Sequence, residues 1–121
     1  MTTRLVLVDD NVHFLAAAQD LLEREGLDVV AVTSTGDDAA RLVGELRPDG
    51  VLVDIDLGPE SGFDVAHRLS GEHGVGVLLI SAYTESEFAE LIADSPALGF
   101  ISKTDLSASR VTAMLDGHPK G

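Results

Sequence analysis

Five short apolar runs of strand-forming residues recur along this chain, at 4–8, 28–33, 51–55, 75–80 and 99–101, and each pair is separated by a stretch with helical periodicity. Parallel strands need long crossover connections, which helices usually supply. Strict alternation therefore restricts the chain to a parallel sheet with helices on both faces. The first run, "RLVLV", is apolar without alternation, as a strand covered on both faces must be.

The intervening segments support this reading. The first is expected to bury Phe14, Leu15, Ala18, Leu21 and Leu22 at three-and-four spacing and to end at Gly26, a left-handed cap position. The second presents Ala39, Leu42, Val43 and Leu46 and stops before Pro48. A third follows "GPESG", where Ser61 and Asp64 have capping-box spacing, and is expected to bury Phe63, Ala66 and Leu69. The fourth starts at "TESE", with Thr84 and Glu87 as a second box, and is expected to bury Phe88, Leu91 and Ile92. The fifth carries Leu106, Val111, Met114 and Leu115. The expected fold is a doubly wound α/β domain.

A length of 121 residues fits one domain, 1–121, with a core over 4–115 and an aperiodic tail or linker stub at 116–121, "DGHPKG". The chain has no cysteine, which removes disulfides, thiolate metal sites and a cysteine nucleophile from consideration. Its first apolar stretch is too short for a signal peptide or a membrane span, so a cytoplasmic location is expected. Twenty-one acids face eight Lys and Arg, a formal net charge of -13, and no basic run exists to follow a phosphate backbone. Direct nucleic-acid binding is not expected.

In sheets of this kind ligands bind beyond the carboxyl ends of the strands. Strand one ends in Asp9 and Asp10, strand three ("VLVDID") in Asp54 and Asp56, strand four ("VLLISAYT") in Ser81 and strand five ("GFISK") in Lys103. Any one of these is an ordinary turn former, cap or solvated charge. Together they place carboxylates, a hydroxyl and an ammonium on one crevice. Clustered carboxylates suit a hard divalent cation such as Mg²⁺, and the added hydroxyl and ammonium suit a phosphoryl group attacked in line by one carboxylate.

At this point the sequence resembles the response-regulator receiver domain of two-component signalling, of the single-domain type, over about Arg4 to Leu115. The motifs that carry the resemblance are the acidic pair after strand one, the Asp of "VLVD", the Ser of "LISA" and the Lys of "GFISK". The resemblance implies a flavodoxin-like fold, with βα repeated five times. It also implies Asp54 as phosphoacceptor and metal ligand, Asp10 as main Mg²⁺ carboxylate with Asp9 assisting, and the Asp56 backbone carbonyl as a further metal ligand. Ser81 and Lys103 would bind phosphoryl oxygens, and Phe100 would be the switch aromatic. The implied donor is a phosphohistidine on a sensor histidine kinase or phosphotransfer protein. A downstream protein would read a surface of helix four, strand five and helix five, where homodimerisation is also a family option. Such a domain catalyses its own modification and is not a multiple-turnover enzyme.

Two departures from the family pattern stand out. Thr104 follows the Lys where Pro is common, so the Lys103–Thr104 bond is left open between cis and trans; "DIDLGPESG" shifts the usual Leu-Pro by a Gly. Asp56 and Tyr83 occupy the two positions where the family varies its phosphate lifetime. Two other readings are weighed. "VLVDIDLG" resembles the Asp-x-Asp motif of haloacid-dehalogenase-type aspartyl-phosphate phosphatases, but motif order and chain length are against it. A receiver-like interaction module independent of phosphorylation is the other alternative. The scattered His13, His67, His73 and His118 have no metal-site spacing.

Overall fold

The computed structural model describes residues 2–117. His118 and most of the expected tail lie outside these residues.

Five strands form one parallel sheet: β1 (Arg4–Val8), β2 (Asp28–Thr33), β3 (Gly50–Asp54), β4 (Gly76–Ser81) and β5 (Gly99–Ser102). Their order across the sheet is β2-β1-β3-β4-β5. Helices α1 (Val12–Arg24), α2 (Gly36–Leu46), α3 (Gly62–His73), α4 (Ala89–Ala93) and α5 (Ala108–Leu115) connect or follow the strands. The doubly wound α/β expectation holds.

Because successive strand side chains point to opposite faces, each central strand divides its residues between two cores. Val6, Val8, Val51, Val53, Val77 and Leu79 face a cluster completed by Ala39, Ala40 and Val43 of α2 and Val65, Ala66 and Leu69 of α3. Leu5, Leu7, Leu52, Leu78, Ile80 and Ile101 face the opposite cluster, completed by Leu15, Ala18 and Leu22 of α1 and Val111 and Leu115 of α5. The apolar runs are unbroken because both faces are covered.

Caps set the helix boundaries. Asn11 Oδ1 accepts from the N–H groups of His13 and Phe14, Thr35 caps α2, Ser61 caps α3 and Ser107 caps α5. The expected left-handed stop after α1 is present at Gly26, φ 100°. Arg47 ends α2 in the left-handed region, φ 48°, and Pro48 follows.

Four local expectations are corrected. Ser61 accepts from the Phe63 N–H at 3.2 Å, but Asp64 returns no hydrogen bond among the described residues, so α3 has a cap rather than a box. Val65 takes a buried place on α3, and Phe63 is half-buried. The fourth helical segment is a 3₁₀ turn at Glu85–Phe88 followed by a five-residue α4, and neither has a buried residue. Leu91, expected inside, is 53% exposed: the segment is too short to lay a full apolar stripe on the sheet. The segment after Asp54 is a small antiparallel hairpin, Asp56–Leu57 against Glu60–Ser61, which periodicity did not announce.

Candidate functional site

Three strands deliver the acidic and basic groups to one edge of the sheet. β1 ends at Val8, so Asp9 and Asp10 lie just past it; β3 ends in Asp54; Lys103 begins a 3₁₀ turn (Lys103–Asp105) directly after β5. Carboxylate oxygens of Asp9, Asp10 and Asp54 lie within 4.8 Å of one another. Asp9 and Asp54 are buried and Asp10 is exposed, which leaves the cluster open to water on one side.

Lys103 joins the two buried acids. Its Nζ is 2.7 Å from Asp9 Oδ2 and 3.0 Å from Asp54 Oδ2, and its side chain is 15% exposed. Asp54 Oδ1 accepts from the Asp56 N–H at 3.0 Å, and Asp9 Oδ1 accepts from the Asn11 N–H at 2.8 Å. Asp9 Oδ2, fully buried, has the Lys103 ammonium as its partner.

Burial raises the Asp54 carboxyl above its ordinary range; the Asp56 N–H and the Lys103 ammonium pull it down, and the Asp9 charge pushes it up again. For Lys103 burial works downward, yet its bonds to Asp9 and Asp54 and their charges outweigh burial and raise it. Lys103 therefore stays charged. The donor set, three carboxylates with oxygens close together and Asp10 open to water, is hard and anionic and fits a small divalent cation.

Two glycines let backbone approach the acids. A Cβ on Gly62 would overlap the Asp54 carbonyl oxygen, so only glycine allows α3 to start there. Gly58, at φ 76°, places its backbone so that a Cβ would meet Asp10 Oδ2 at 3.3 Å. The shifted Gly in "DIDLGPESG" thus turns the hairpin beside Asp10.

The remaining residues fall as follows. The Asp56 carboxylate is not part of the cluster and accepts from the Gly58 N–H at 3.1 Å. Ser81 is 1% exposed at the end of β4, next to Asp54 across the sheet, because Asp54 registers with Ile80. Its Oγ accepts from the Tyr83 N–H at 3.0 Å, and no hydrogen bond among the described residues joins it to the carboxylates. Phe100 on β5 is inside, 9% exposed. It also borders a groove of about 160 Å³ with Glu85, Ile101, Ser102, Asp105 and Arg110. No described peptide bond is cis, Lys103–Thr104 included.

Sequence reasoning missed Asn11 and Phe14. Asn11 was legible as a cap before a helical run. The Phe14 ring, with its centroid 4.3 Å from Lys103 Nζ, was not, because the contact joins residues far apart in the chain.

This fold with this edge defines a phosphoacceptor-type signalling domain, and the comparisons agree. The family profile of the response regulator receiver domain matches residues 5–116, and the chain belongs to that family. It is 30% identical over 117 residues to the DNA-binding transcriptional activator EvgA of Escherichia coli strain K12, covering 96% of this chain and 57% of that protein. To the DNA-binding response regulator MtrA of Mycobacterium leprae it is 35% identical over 103 residues, covering 85% of this chain and 45% of that one. The chain spans about half the length of these curated relatives. The solved signal receiver domain of the putative response regulator NarL from Mycobacterium tuberculosis superposes with a TM-score of 0.84 at 28% identity, covering 96% of this chain and 98% of that chain. The family is a signalling rather than a classical enzyme family, and the phosphatase and phosphorylation-independent readings are not favoured. Among the described residues no helix is long and apolar enough to cross a membrane.

Proposed function

We propose that this chain is a single receiver domain, core 4–115, that accepts a phosphoryl group on Asp54 in a Mg²⁺-dependent reaction and thereby switches a partner-binding face. The observation that carries the reading is the Lys103 ammonium, held 2.7 Å from Asp9 and 3.0 Å from Asp54 beside a three-carboxylate cluster.

A carboxylate oxygen of Asp54 attacks the phosphorus of a phosphohistidine on a sensor kinase or phosphotransfer protein. The P–O bond forms as the P–N bond breaks, and the departing imidazole nitrogen recovers a proton. Asp9, Asp10, Asp54 and the Asp56 backbone carbonyl would hold Mg²⁺, which when bound would neutralise charge on the transferred group. Lys103 pairs with one phosphoryl oxygen. Ser81 moves from its Tyr83 partner to donate to another, which draws in the loop after β4. Phe100, already inside and bordering the groove, fills the space released. The response appears on the face of α4, β5 and α5, where a downstream protein, or a second copy, would bind. The partners are proteins in the cytoplasm, since a net charge of -13 without a basic run opposes direct nucleic-acid contact.

Incubation with Mg²⁺ and acetyl phosphate, followed by intact-mass and peptide mass spectrometry, tests the reading. One base-labile phosphoryl adduct on Asp54 is expected, absent from Asp54→Asn and without EDTA-resistant residue. No adduct, or equal modification of the variant, would overturn it.

A further inference from the structure

We propose that Phe14 is a positioning residue for this reaction, holding the Lys103 ammonium against its ring face; the inference rests on the function proposed above. The Phe14 centroid lies 4.3 Å from Lys103 Nζ, within the range in which a cation is drawn to the ring quadrupole. The contact closes a circuit. Asp9 Oδ1 accepts from the Asn11 N–H at 2.8 Å, and Asn11 Oδ1 accepts from the Phe14 N–H at 3.1 Å. The Phe14 ring then meets the Lys103 ammonium, which returns to Asp9 Oδ2 at 2.7 Å. Both oxygens of one buried carboxylate thus fix the same lysine, one directly and one through the first turn of α1.

The ring supplies what the carboxylates cannot. A lysine head rides on a flexible four-carbon stem, and its two anionic partners are the groups that a divalent cation and a phosphoryl group also engage. Neither competes for an aromatic face. As phosphate arrives at Asp54, the ring contact persists and keeps the ammonium in line with the incoming oxygens, so less ordering is needed during transfer. Phe14 is half-buried against the α1 side of the core, where any large apolar residue would pack. Packing alone does not call for a π face toward a cation.

The test replaces Phe14 in the full chain with mono-, di- and trifluorinated phenylalanine, which changes ring electrostatics with little change in volume, and with Tyr and Leu. The readouts are the rate of Asp54 modification by acetyl phosphate with Mg²⁺, the thermal midpoint, and the NMR shift of the Lys103 ε-methylene protons. The rate should fall stepwise with fluorination at constant thermal midpoint. Phe14→Tyr should keep it, and Phe14→Leu should lose on the order of fivefold. The Lys103 ε-protons should lie upfield of the free-lysine value in the parent and return toward it in Phe14→Leu. A flat fluorination series in a protein that is modified at Asp54 overturns this inference alone. Absence of modification in the parent overturns the functional reading and this inference together.

Discussion

At the residue scale, Asp54 is an acid whose neutral form the fold favours. Burial is the main cause, the Asp9 charge adds to it, and the Asp56 N–H and Lys103 offset both only in part. The native state therefore holds a proton at pH values where the unfolded chain has released it. Stability contributed by this group falls as pH rises from the ordinary value of 3.8 through the raised native value, and stays lower above it. Asp54→Asn keeps an oxygen for the Asp56 N–H and removes the charge. Without metal it should melt higher than the parent at pH 7, and calorimetry down the pH scale should show the gap closing toward the unfolded value. A gap that widened in acid would contradict the assignment. The same protonation competes with a cation, which makes the cluster weaker in acid.

At the element scale, the start of α3 is the tightest junction in the site. A Cβ on Gly62 would overlap the Asp54 carbonyl oxygen, which belongs to backbone that cannot swing aside. Gly62→Ala should cost about 3 kcal/mol in urea unfolding, at the upper end for overpacking, and should slow modification of Asp54 by displacing it. The opposite case is α4. Leu91 is 53% exposed on a five-residue helix with no buried residue, so Leu91→Ala should change stability by no more than about 0.5 kcal/mol. A large loss there would show that α4 packs in solution more firmly than its surface implies. A loosely held α4 suits an element whose placement is to be switched.

At the scale of the whole molecule, 21 acids against 8 basic residues make the chain self-repelling, and the cluster of Asp9, Asp10 and Asp54 concentrates that repulsion at one sheet edge. A cation bound only by the native state stabilises it by mass action, about 2.7 kcal/mol at a hundredfold excess over its Kd. Mg²⁺ should therefore raise the thermal midpoint more than NaCl of equal ionic strength, which only screens. Asp10→Asn should remove most of the excess. An equal rise in that variant would mean that Mg²⁺ acts as a general counterion.

The sequence by itself determined the alternation of elements, the apolar runs of the central strands, the Ser61 cap, the Gly26 stop and the polar residues at the strand ends. Each of these is written in a few neighbouring residues: period two against 3.6, a side-chain oxygen before a helix, a carboxylate where a strand leaves the core. Local pattern also identified Asp9, Asp10, Asp54, Ser81 and Lys103 as a set, because the ends of parallel strands share one edge. It did not reveal that α4 would stay short or that Gly62 must touch Asp54. Nor did it place the Phe14 ring on Lys103. Tertiary structure decided these, because they depend on the order β2-β1-β3-β4-β5 and on which helix covers which face. A crossover brings residues 89 positions apart to within a few ångströms, and no window of neighbouring residues records which distant partner a side chain will meet.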